Sequence, residues 1–205
     1  MTKLNDHTNE AIITSTLVNF VVQGQNVYNK GEVVSGATDV ITHYLDLDYL
    51  WQEIRVLSGA YGASNVLKLQ EGVYVLASYR DPNFAGTLDV YKNVANELVT
   101  IADDLRENPK KLELSIISSL SSLDGSVPSS EEMGWISFMR WLVRSTSHSR
   151  QKWRDDILNT APDDFEQFAA KIVNTSSTVT TATVCSEAAY KEASEAMNLT
   201  LVEVH

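Results

Sequence analysis

Apolar positions along this chain of 205 residues change period several times, and each change marks an element. Residues 1–10 are polar and read as a flexible segment ahead of one domain spanning 11–205. Ile12 to Gln23, rich in β-branched residues, predicts a strand closed by Gly24. Ala37, Val40, Ile41 and Tyr44 then fall at i, i+3, i+4 and i+7, the stripe of an amphipathic helix. Leu47, Leu50, Trp51 and Ile54 repeat the spacing on a second short helix, with Asp46 as its cap.

From Ala63 to Leu69 and from Val73 to Tyr79 the pattern shortens to two β runs joined by Gln70, Glu71 and Gly72, a hairpin signal. Pro82 ends the second run because it cannot donate to a ladder. Leu88, Tyr91, Ala95, Leu98, Ala102 and Leu105 line one face of a long helix reaching about Glu107, and Pro109 opens another that Asp124-Gly125 stops. Ser129 with Glu132 forms a capping-box pattern before Met133, Ile136, Met139 and Val143. A helix carrying Trp153 and Ile157 follows. Pro162 then opens one whose Phe165, Phe168, Ala169 and Ile172 face inward. Thr178 to Cys185 read as a strand, Glu187 to Met197 as a helix and Leu199 to Val204 as a last strand. With helices grouped centrally and strands at both ends, the expected class is α+β: one mostly antiparallel sheet with helices mainly on one face.

Composition removes several function classes. At 43% hydrophobic and 21% charged, the chain has an ordinary globular balance. No apolar run approaches the ~20 residues of a membrane span. The net charge of −11 and pI of 4.7 argue against nucleic acid, which needs clustered cations, and suit a basic ligand. Cys185 is the sole cysteine, so no intrachain disulfide forms.

His7, His43, His148 and His205 lie far apart, outside any H-x-x-E-H or H-E-x-x-H frame, so no metal is expected on this chain. No G-x-S-x-G elbow, P-loop or G-x-G-x-x-G is present. The pairs Asp103-Asp104, Glu131-Glu132, Asp155-Asp156 and Asp163-Asp164 diverge by about 100 degrees on a helix and read as caps and solvated faces. Cys185 sits in a β-rich apolar run and reads as a buried, inert thiol.

Arg55 and Tyr61 remain. An arginine and a tyrosine beside a glycine-flexed turn (Gly59, Gly62) suit hydrogen bonding to an oxygen that gains charge during carbonyl addition. The plainer reading makes Arg55 a helix C-terminal cation and Tyr61 a packing aromatic.

IRVLSGAYG (54–62) followed by YVLASYRDPNFAGTLDVY (74–91) resembles the C-terminal part of the presequence-protease, falcilysin-like branch of pitrilysin-type zinc metallopeptidases. TSTLVNFV (14–21), RQKWRDDILNT (150–160) and DDFEQFAAKIV (163–173) agree in order and spacing, so the resemblance spans roughly 11–204. It implies a LuxS/MPP-like metallopeptidase domain, one of four enclosing a chamber for unfolded, basic peptides such as cleaved organellar presequences. It further implies that zinc, its histidines and the glutamate base lie on an N-terminal half outside this chain. Arg55 and Tyr61 would then grip the peptide backbone from across the chamber, in a mitochondrial or plastid matrix. Ser58 stands where that family usually has glycine. Without the other domains, as in a fragment or split gene, the chain is expected to be proteolytically inactive. The rival expectation is a non-catalytic scaffold or binding subunit reusing the fold.

Overall fold

The computed structural model of the chain describes residues 9–125, 128–191 and 199–202. Its element order is β1 (Asn9–Ile13), β2 (Asn19–Asn26), α1 (Ala37–Leu47), a π-helical segment (Trp51–Leu57), β3 (Gly62–Lys68), β4 (Val73–Asp81), α2 (Phe84–Glu107), α3 (Pro109–Asp124), α4 (Ser130–Leu142), α5 (Ser147–Leu158), α6 (Pro162–Asn174), β5 (Thr180–Cys185) and β6 (Thr200–Leu201). The six strands make one mixed sheet in the order β3-β4-β2-β5-β1-β6. Pairings β3–β4, β4–β2 and β2–β5 are antiparallel, while β5–β1 and β1–β6 are parallel.

Burial alternates along the strands, as expected when one sheet face is covered. Val21, Leu67, Tyr74, Leu76 and Cys185 join one apolar core with Ile41 and Leu45 of α1, Leu88, Leu98 and Leu105 of α2, and Phe165 and Phe168 of α6. Edge-on ring pairs, Tyr74 with Phe168 at 5.3 Å and Tyr44 with Phe165 at 5.9 Å, lock α6 and α1 into this layer. The alternate positions Phe20, Val22, Val66 and Tyr79 remain exposed on the opposite face. The fold is α+β with one open sheet face.

Several local expectations change. The strand expected over Ile12–Gln23 is two strands, because the Thr16 hydroxyl donates to Val18 O at 2.9 Å and accepts from Val18 N at 3.2 Å, closing a turn. The turn sends β1 and β2 to opposite edges of β5. Gly24 lies inside β2, paired with Val75 and Thr180, rather than closing it. Asp46 is not a cap. It lies within α1, where its Oδ1 accepts from Asn65 N at 2.6 Å and Asn65 Nδ2 at 2.7 Å, tying α1 to β3. Of the stripe that followed it, Leu50 and Ile54 are buried whereas Leu47 and Trp51 are exposed.

The Ser129–Glu132 capping box forms, yet α4 buries none of its residues, so Met133, Ile136 and Met139 face no core. The helix expected over Glu187–Met197 is present over residues 187–191, and its remainder lies outside the described residues. Of the last expected strand, Thr200–Leu201 pairs with β1, and residues 203–204 lie outside the described residues. Residues 1–8 of the N-terminal segment lie outside them as well, while Asn9 and Glu10 begin β1.

Candidate functional site

Two backbone irregularities bring the candidate residues together. The first is the π-helical segment that carries Arg55. Its wide turn is closed by Ser58, whose hydroxyl donates to Glu53 O at 2.7 Å. Gly59 follows at φ +79°, a conformation that glycine adopts without strain, and Ala60 N then donates to Ile54 O at 3.0 Å. The chain reverses and delivers Tyr61 at the start of β3. Short π-helical stretches of this kind occur frequently at functional sites.

The second irregularity is a bulge near the end of β4. Val21 pairs with Ser78 and Asn19 with Asp81, so Tyr79 and Arg80 together oppose the single residue Phe20. Arg80 takes φ +49°, uncommon for a residue with a Cβ. Asp81 holds this geometry from beneath. It is fully buried; its Oδ1 accepts from Asn83 N at 2.8 Å, and its Oδ2 accepts from Ser78 Oγ at 2.8 Å and Thr87 Oγ1 at 2.5 Å. Asn19 Nδ2 donates to Asp81 O at 2.8 Å, and Asn83 caps α2 by accepting from Gly86 N. The Ser-Tyr-Arg-Asp-Pro-Asn run is therefore a self-bonded corner joining strand, bulge and helix.

Arg55 and Tyr61 meet at the rim of the open sheet face. The Arg55 guanidinium carbon lies 3.9 Å from the Trp51 ring centroid and 5.9 Å from that of Tyr61. Both residues are exposed, Tyr61 by 61%. Tyr61 packs edge-on against Tyr79 at 5.2 Å, and Tyr79 in turn lies 5.9 Å from Phe20.

Sequence reasoning missed one member of this group. The Arg80 guanidinium carbon lies 5.7 Å from the Tyr61 ring and 5.5 Å from the Tyr79 ring. The Tyr-Arg-Asp-Pro-Asn run was its only signal, and nothing in that run shows where the side chain goes.

Other candidates disperse. The acidic pairs occupy helix faces: Asp103, Asp163 and Glu166 surround Arg106, while Asp156 pairs with Lys152. Cys185 is buried, and desolvation holds its thiol above the ordinary pKa against a smaller opposing hydrogen bond from Thr183. His43 bonds Ser118 at 2.7 Å. Among the described residues no three His, Cys, Asp or Glu side chains come close enough to hold a metal ion, so these residues do not fit a zinc centre. No helix among them is long and apolar enough to cross a membrane.

Comparison with known proteins matches residues 9–187 to the family model described as PreP C-terminal domain. The chain is 35% identical over 164 residues to presequence protease 1, chloroplastic/mitochondrial, of Arabidopsis thaliana, covering 80% of this chain and 15% of that protein. It is 34% identical over 164 residues to the protein HypA of Clostridium perfringens, covering 80% of this chain and 16% of that one. The chain thus spans about a sixth of the length of these relatives. Among solved structures, a protease from Helicobacter pylori shares the fold at TM-score 0.63 and 16% identity, over 86% of this chain and 43% of that one.

Proposed function

The chain belongs to the PreP C-terminal domain family, and from that premise we propose that it is the substrate-gripping domain of a zinc metalloendopeptidase acting on unfolded peptides, cleaved organellar presequences among them. The observation that carries this reading is the convergence of Arg55 and Tyr61, both exposed, at the rim of an uncovered apolar sheet face. A guanidinium edge and a phenol are donors suited to the carbonyl oxygen of a scissile peptide bond or its neighbour. Phe20, Val22, Val66 and Tyr79 offer the side chains of an extended peptide a surface beside those donors. The net charge of −11 would draw basic peptides toward the domain at low salt.

The zinc, its ligands and the glutamate base belong, in this proposal, to an N-terminal half that closes over the domain. This chain supplies position and electrostatic complement but no hydrolytic group. On its own it binds without cleaving. A matrix location in mitochondria or plastids extends to it from the relative named for those compartments.

The experiment combines the chain with the remaining domains of the enzyme and follows cleavage of a basic peptide. Arg55→Ala or Tyr61→Phe lowers turnover by ~10²–10³-fold if each donates to the oxygen on which charge develops. Full activity in the double variant rules out the gripping role and leaves the scaffold reading.

A further inference from the structure

Arg80 is the residue the sequence left without a role. We infer that Arg80, with Arg55 on the same phenol ring of Tyr61, receives a carboxylate of the bound peptide, supplied by its free C-terminus or by an acidic side chain. This deepens the gripping function proposed above and rests on it.

Arg80 and Arg55 both engage aromatic faces. Arg80 lies over Tyr61 and Tyr79, and Arg55 over Trp51 and Tyr61. At 3.9 Å the Arg55 guanidinium touches the Trp51 ring, while the separations of 5.9, 5.7 and 5.5 Å to Tyr61 and Tyr79 are those of cation–π attraction. Such contacts use none of a guanidinium's five N–H donors. Among the described residues neither guanidinium has a carboxylate or hydrogen-bond partner. Arg106, Arg154, Lys111, Lys152 and Lys171 each meet a carboxylate of this acidic chain, whereas Arg140 and Arg144, like Arg55 and Arg80, meet none among the described residues. Two unpaired forks on one phenol make a local cationic spot in a protein of net charge −11. A carboxylate is the planar anion such forks match, through paired N–H···O bonds.

The backbone supports the same reading. Glycine or asparagine would fit φ +49° more easily than arginine, so the residue there is not the one the turn favours. The bulge and the buried Asp81 hold the strained residue in place, with three donors fixed on that carboxylate. Such a corner sets where the Arg80 side chain starts. In the proposed chamber, the global field recruits a basic peptide, and the arginine pair orients it by its negative group.

The test titrates the 205-residue chain at low salt with three N-acetylated basic peptides of one backbone sequence. One ends in a free carboxylate, one in an amide, and one in an amide with a single internal glutamate. The carboxylate-bearing peptide that uses the site binds about tenfold tighter than the plain amide, as one charge-assisted bond implies. Preference for the free acid assigns the site to the C-terminus, and preference for the glutamate peptide assigns it to a side chain. Arg80→Asn, chosen because asparagine tolerates this φ, removes the preference.

Equal affinity of all three peptides for the wild type overturns the inference, whatever the variant does. A preference that survives in a folded Arg80→Asn chain overturns it equally. Failure of the gripping proposal reads out separately: the Arg55→Ala, Tyr61→Phe double variant would keep full turnover when combined with the remaining domains.

Discussion

The indole Nε1 of Trp153 donates a 2.7 Å hydrogen bond to the carboxylate of Asp39, joining α5 to the first turn of α1. The two helices touch so closely there that a Cβ added at Gly36 would lie 2.2 Å from Trp153 O. Asp39 is half-buried. Desolvation lifts its pKa above the usual aspartate range, against smaller opposing effects of the Trp153 bond and of His43. An acid with a raised folded-state pKa favours folding most below its unfolded value and loses that contribution as pH rises through the folded one. Asp39→Asn keeps an oxygen for the indole and sheds the charge. It should therefore gain stability relative to wild type between about pH 4 and pH 7, read as the difference in melting temperature across that window.

Asp81 should be the costliest polar residue to truncate. Asp81→Ala leaves the buried Ser78 and Thr87 hydroxyls, and the amide of the exposed Asn83, without their acceptor. At about 1–3 kcal/mol for each orphaned donor, a loss of ~3 kcal/mol or more is expected in urea unfolding. Thr87→Val removes a single donor and should cost less.

Two glycines should respond with opposite sign. Gly72, at φ +71°, closes the β3–β4 hairpin, and an added Cβ would lie 2.3 Å from Tyr28 O. Its own carbonyl accepts from Val27 N and Tyr28 N, so the segment cannot move away. Gly72→Ala should lose ~2 kcal/mol or more. Gly134 lies inside α4, and a Cβ added there would meet nothing within 4 Å. Gly134→Ala should gain about 0.5–1 kcal/mol. Chemical denaturation of both variants checks the pair.

Cys185 should resist thiol reagents in the native state. It is fully buried, and its raised pKa leaves little thiolate at neutral pH. A chromogenic disulfide reagent should react only as the chain unfolds, with a rate that follows denaturant. Rapid stoichiometric labelling of the folded protein would contradict this.

The chain order itself determined the hairpin, the long helix α2 and the amphipathic α6, because period, proline and glycine signals are local and act within a few residues. It also carried Arg55 and Tyr61, whose proposed gripping role came only through resemblance. Tertiary structure decided the rest. β5, more than 150 residues downstream, enters between β1 and β2, and no local signal announces such an insertion. The stripe of α4 reads as a core face, yet it has no layer to cover, since amphipathicity fixes a face but not its neighbour. Arg80 gains its place from a bulge, a positive φ and a buried carboxylate acting together. Its meeting with Tyr61 depends on the pairing of β3 with β4, which only the folded sheet supplies.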